Sequence, residues 1–384
     1  MDKTPYTTIL EWQSAVASSR KTDAFIAEIP KVELHIHIEG SMTSTLRWHL
    51  GQRNHLPLRN FSQTETYTTL PALQSAYHLN NPLQPRSTTG STQMSAFFEA
   101  YYGAMDVLRT ELDFYDLAMD YFTRFAGLAG CYAEVFFDPQ AHTRRGIGWD
   151  VFMPGLERAR VDAERELAVK CNYIMCFLRD LPPADAEAHY EAALPYRSMI
   201  VGIGLDSNEY GRPPLLFQDV FTRARKDGFQ ITAHCDVTQH NCHEHIRQVA
   251  CELGGSGAGR IDHGLDIADA PALLEIARAK RILLTICPWA YVRHVRAEKL
   301  FADIRKLVDL GLRVCIASDS PAYMEEQWLV QNLLLIRLHC GFTNEEILEL
   351  QRNAILGCWA DEQVKQQLMD DLHAFGMRFG VVTS

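Results

Sequence analysis

Nowhere in the 384 residues do two cysteines stand in a C-x-x-C spacing, and no run of 18 apolar residues occurs. The ten cysteines, several of them inside apolar strand-like runs, therefore read as reduced, buried thiols rather than disulfides. Without a long apolar run no transmembrane helix is expected. Positive charge is also short: 37 Lys and Arg face 48 Asp and Glu, a formal net charge of -11. That balance argues against a nucleic-acid surface or a polybasic membrane anchor. Met1 to Ala15 is polar and lacks the apolar core of a secretory signal, so a cytoplasmic chain is expected. No repeat of fixed period and no linker-bounded second domain is visible.

What remains is ordinary globular material, 47 % hydrophobic and 22 % charged, with enough chain for a large core. Short β-branched runs alternate with helical segments. The strand candidates are Val32–Ile38, Tyr132–Phe137, Cys171–Leu178, Met199–Leu205, Gln230–Cys235, Arg260–His263, Ile282–Cys287 and Leu312–Ser318. Eight buried strands separated by helices predict a parallel sheet closed into an α/β barrel, the (β/α)8 or TIM barrel. The chain reads as a single domain over 1–384, with a core of about 30–372 and a helical insertion of about 41–130 after the first strand. Within the insertion, Asn80–Thr92 reads as a surface loop, and Phe97, Phe98, Tyr101 and Tyr102 as packing aromatics. Helices Glu326–Cys340 and Thr343–Cys358, and a third near the C-terminus, follow the last strand.

The chemistry gathers at strand ends. In the first strand His35 and His37 alternate, and residues i and i+2 of a strand share a face. Imidazoles converging on one point suit a divalent transition metal. In a barrel, functional groups collect where strands end. There stand His234 after strand five, His263 after strand six and Asp319 after strand eight. His35, His37, His234 and Asp319 thus form a candidate mononuclear site with His263 beside it. His240, His243 and His245 fall at the start of the helix after strand five and read as a solvated or partly packed face. Cys235 alternates away from His234. The run Trp289, Tyr291, Arg293, His294, Arg296 reads either as an anion contact or as a loop packed on the rim.

Several segments occur together and in order. They are Val32-Glu-Leu-His-Ile-His-Ile-Glu-Gly40, Ala133-Glu-Val-Phe-Phe-Asp-Pro-Gln140, Gly204-Leu-Asp-Ser-Asn-Glu209, Ile261-Asp-His-Gly264 and Ser318-Asp-Ser-Pro-Ala-Tyr323. From about Pro30 to Leu372 the chain resembles the adenosine/adenine deaminase family of zinc amidohydrolases, above all its adenine branch. The resemblance implies one Zn2+ per chain held by His35, His37, His234 and Asp319, and a water whose pKa falls from about 15.7 toward about 7. It implies that His263 orients and helps deprotonate that water, and that Asp319 accepts its proton. Glu39 matches a position near the substrate, where the nucleoside branch usually has Asp. Ser207 and Ser320 are expected on the substrate side. The implied function is hydrolytic deamination of an adenine-like purine or related amino-heterocycle, in purine metabolism. The implied partner is a small molecule, with no nucleic acid or membrane; the oligomeric state does not follow.

The chain departs from that pattern twice. The family reads His-Ala-Gly-Glu after strand five, the glutamate protonating a ring nitrogen; here the segment is His234-Cys235-Asp236-Val237. Losing general-acid help costs about 10²–10⁴ in rate. The family's Asp-Asp pair on strand eight reads Asp319-Ser320. Asp236 or another carboxylate is expected to take the missing acid's role. The alternatives are hydrolysis of another C–N bond, an amide or lactam, and a metal-bound pseudoenzyme. A cytidine-type deaminase is excluded, because H-x-E must be followed by P-C-x-x-C.

Overall fold

The architecture was obtained as a computed structural model that describes residues 5–78, 95–292 and 297–381. The strands are β1 (Lys31–His37), β2 (Gly130–Phe137), β3 (Lys170–Leu178), β4 (Ile200–Asp206), β5 in two pieces (Gln230–Ile231 and His234–Cys235), β6 (Arg260–His263), β7 (Leu283–Ile286) and β8 (Arg313–Ile316). Barrel neighbours pair in parallel around the cylinder. Two seams complete it. In β5 the Thr232 N–H donates to Ile203 O at 3.0 Å, and the Asp262 N–H to Ala233 O at 3.0 Å. Between β8 and β1, Asp319 N–H donates to His35 O and His37 N–H to Asp319 O, each at 3.0 Å. The expected continuous fifth strand is split because its backbone changes partner from β4 to β6 at Thr232 and Ala233.

Alternation along the strands stacks the interior in layers. At the floor the Arg260 guanidinium pairs with Glu134 at 2.5 Å and lies 3.8 Å above the Trp359 ring. Gly202 is needed here, since a Cβ would come 2.2 Å from Trp359 Cζ3. Above lies a small apolar cluster of Phe136, Ile174 and Cys176. Above that come His35, His37 and His234, each with its ring centroid 5.0–5.6 Å from Phe136. The large core lies outside, between strands and helices. All ten cysteines are free thiols.

The insertion after β1 carries helices Ser44–Arg53, Leu70–Tyr77, Ala96–Ala104 and Glu111–Ala126. Thr43, Thr69, Ser95 and Thr110 cap them by accepting backbone N–H groups, which explains why each starts where it does. It also holds an antiparallel pair, Leu58–Arg59 with Thr66–Tyr67, that a purely helical expectation lacks. The expected surface loop at 80–92 lies outside the described residues, as do Arg293, His294 and Arg296. After β8 come Leu329–Cys340, Asn344–Gly357 and Glu362–Arg378, and Gln351 accepts the Val32 N–H at 2.9 Å. No helix among the described residues is long and apolar enough to cross a membrane.

Lys31, at the bottom of β1, is fully buried and donates to Ile29 O at 2.8 Å and Ala27 O at 3.2 Å. Burial pushes its pKa down to about 7. From about pH 7 to the unfolded value near 10.5 the unfolded chain holds the proton that the folded chain has lost, so stability rises with pH. Lys31→Met removes that dependence. Its stability relative to the parent should be greatest below pH 7 and decline toward pH 10, as read by urea unfolding of both proteins. A gap that stays constant with pH would refute the assignment.

Candidate metal centre and active site

Strand order brings His35, His37, His234 and Asp319 to one point at the C-terminal rim. His37 Nε2 and His234 Nε2 stand 3.1 Å apart. Asp319 Oδ1 lies 3.8 Å from His35 Nε2 and 3.6 Å from His37 Nε2. Tetrahedral ligation with arms of about 2.0–2.1 Å would separate donor atoms by about 3.3 Å. The imidazoles are neutral. Burial pushes His37 down to about 3 and pushes His35 and His234 well below their ordinary value, neighbouring histidines adding to it for the latter two. His35 Nε2 is buried and has no hydrogen-bond partner. A set of three neutral nitrogens and a carboxylate, one nitrogen unpartnered, fits a divalent transition metal.

The outward nitrogens show how the rings are aimed. Thr285 donates its only hydroxyl proton to Asp262 Oδ1 at 3.1 Å, so at 2.8 Å His35 Nδ1 must be the donor to Thr285 Oγ1. That tautomer leaves His35 Nε2 as a bare lone pair. Asp262 Oδ2 accepts from Thr232 Oγ1 at 2.7 Å and lies 3.6 Å from His234 Nδ1. One buried carboxylate thus backs two of the three histidines. Its role is not evident from spacing, because its partners come from three different strands; the only signal is its alternation with Arg260 on an inward face.

His263 shares the cluster with His35 and His234, the potential ligand atoms lying within 4.8 Å of one another. Its Nδ1 lies 3.0 Å from the Tyr291 hydroxyl, which accepts the Cys287 N–H at 2.9 Å. His263, Asp319 and Ser207 adopt φ of +65°, +64° and +69°, a left-handed conformation uncommon for non-glycine residues. Three strand ends are thereby turned inward at once.

Beside the histidines lies a pocket of carboxylates. Glu39 Oε1 is 2.7 Å from His142 Nε2 and accepts the Asp138 N–H at 3.2 Å, while Oε2 is buried without a partner. Burial raises Glu39 to about 7. Burial, reinforced by Glu39, raises Asp138 to about 8. Asp206 lies well above the carboxylate range for the same reason, Asp138 adding to it, and its Oδ2 is 3.5 Å from His37 Nδ1. Tyr101 donates to Asp138 Oδ2 at 2.9 Å, and the Tyr102 hydroxyl meets Ser207 Oγ at 2.8 Å. These two tyrosines were expected as plain packing; instead their hydroxyls close the pocket from the insertion side. Helical period reveals an apolar face but not where a phenol points.

Ser320 is buried, its Oγ donating to Asp319 Oδ1 at 3.2 Å. It lies against Gly40, where a Cβ would come 2.4 Å from that oxygen. Val237 is fully buried in the large core, whereas Asp236 is half-buried beside it. Asp236 Oδ1 accepts the Val237 N–H at 2.7 Å, and burial followed by repulsion from Glu209 pushes the carboxyl well up. The three histidines after β5 do not converge: His240 and His243 are exposed, His243 facing Asp266 O at 2.9 Å, and His245 is buried toward Glu209. Trp289 and Tyr291 are buried in the rim.

The sequence model of adenosine deaminase matches residues 30–375. An uncharacterized deaminase of Schizosaccharomyces pombe is 38 % identical over 93 % of this chain and 98 % of its own. An adenine deaminase of Acinetobacter baylyi is 34 % identical over 91 % and 98 %. The solved adenine deaminase of Arthrobacter aurescens superposes with a TM-score of 0.80 at 30 % identity, covering 91 % of this chain and 99 % of that one. With the barrel, the rim cluster and these similarities together, the chain belongs to the adenosine deaminase family.

Proposed function

We propose that this protein is a zinc-dependent aminohydrolase that replaces the exocyclic amino group of an adenine-like purine, or of a related amino-heterocycle, by oxygen and releases ammonia. The carrying observation is the convergence of three neutral imidazoles and Asp319 on one point, with His263 beside them. In this reading His35, His37, His234 and Asp319 hold one Zn2+. The ion would supply, when bound, acidification of a water molecule from about 15.7 toward about 7.

The protein's own groups do the rest. His263, steadied by Tyr291, orients the attacking water, and Asp319 takes its proton as oxygen adds to the amino-bearing carbon. That proton leaves with the amine as the C–N bond breaks, and the added hydroxyl returns its own proton to the general acid as the carbonyl forms, so water and substrate are converted to the oxo-heterocycle and ammonia. Asp236 acts as the general acid toward the ring nitrogen, because the neighbouring Val237 is apolar and buried. Glu39, Ser207 and Ser320 form the substrate side. Tyr101 and Tyr102 roof it, keeping water away from the reacting atoms. The apolar Val237 also favours a second reading, hydrolysis of an amide or lactam without ring protonation.

Purified, zinc-loaded protein should release ammonia from a panel of aminopurines, pterins and aminopyrimidines. Release of none, with opening of amides or lactams, would favour the second reading. Asp319→Ala should lose the metal or all turnover; a fully active, metal-bound variant would overturn the ligand set. Asp236→Asn should reduce kcat by about 10² or more, and near-full activity would remove it from the acid's role. Asp262→Ala should weaken zinc retention about 10–100-fold in a chelator competition, with the fold preserved by circular dichroism. Unchanged retention would show that Asp262 does not support the ligands.

A further inference from the structure

Where β5 ends at Cys235, a buried ion pair takes over from the sheet. Arg179, at the end of β3, and Glu209, after β4, are 0 % and 3 % exposed and 3.2 Å apart. Arg179 Nη1 donates to His234 O at 2.8 Å. Its Nε and Nη2 donate to Arg212 O at 3.1 and 2.9 Å, and Arg212 Nε donates back to Arg179 O at 2.5 Å. Glu209 Oε1 accepts the Asp236 N–H at 2.7 Å, and its Oε2 lies 3.5 Å from His245 Nδ1.

We infer that Glu209, anchored by Arg179, is a positioning residue for turnover, holding the backbone of Asp236 in register with His234. The physical case is the cost of the arrangement. A buried ion pair is a poor source of net stability, since desolvation offsets the attraction. This one spends its hydrogen-bonding capacity on the backbone atoms of residues 234, 236 and 212. A guanidinium with a fixed fork and a carboxylate with two oxygens can hold a ligand residue and a proton donor at a set separation. The segment carries no sheet pairing past Cys235, so these bonds replace the ladder.

This inference rests on Asp236 acting as the acid, and a mutant cycle separates the two. A Gln at 209 has one acceptor oxygen and can serve Arg179 or the Asp236 N–H, not both. In zinc-loaded protein Glu209→Gln should lower kcat about 10–100-fold with KM and metal content little changed. In the Asp236→Asn background the same substitution should cost no more than about twofold. Amide exchange at residues 235–237 should quicken in Glu209→Gln. Full activity of Glu209→Gln alongside a crippled Asp236→Asn would overturn this inference alone. So would a loss undiminished in the double variant, or unchanged amide exchange. Full activity of Asp236→Asn would instead overturn the acid assignment on which it rests. If Glu209→Gln does not fold, Arg179→Lys, which lacks the fork, gives the same cycle.

Discussion

Asp262 is the carboxylate on which the arrangement of the rim depends. It is fully buried at the level where the histidines begin, and burial raises it to about 6 while Arg260 opposes the rise. Held ionised above a guanidinium, it forces Thr232 and Thr285 to donate and so sets the direction of the bond between Thr285 and His35. The tautomer of His35 follows, and with it the lone pair facing the site. Arg260 in turn is steadied by Glu134 and Trp359, so alternating charges as well as the small apolar cluster link the floor of the barrel to its mouth. The interior between them is thin, three apolar side chains against the extensive outer core.

Much of this was legible in the sequence because strand alternation is a strict rule. His35 and His37 two residues apart must share a face, and eight βα units lead to a parallel barrel whose strand ends meet. His234 and Asp319 could be placed at the rim for the same reason. Asp262 and the roofing tyrosines could not be assigned roles, because their roles lie in bonds between distant strands or across the insertion. The split in β5 was also hidden: alternation runs unbroken through Thr232 and Ala233, and only the change of backbone partner separates the pieces. Strands two residues long, as at 58–59 and 66–67, offer no period to detect.

The two departures from the family pattern fare differently in space. Ser320 is tied to Asp319 and pressed against Gly40, so its hydroxyl acts on the carboxylate next to it. Val237 is enclosed by the core, and the half-buried position after the strand belongs to Asp236. The histidine cluster of the rim and the segment after β5 are thus held by different means, the first by sheet geometry and the second by a buried ion pair.

The left-handed turns at Ser207, His263 and Asp319 carry a consequence for how the molecule ages under mutation. Each such conformation costs on the order of 1–3 kcal/mol and persists only where its surroundings over-determine it. Together they draw on a margin that in ordinary proteins is only about 5–15 kcal/mol. Substitutions in the outer helical layer, far from any reacting atom, therefore erode the reserve that keeps the rim bent inward. Loss of activity would precede loss of the fold, and stabilising changes in that distant layer would extend the range of rim sequences the barrel tolerates.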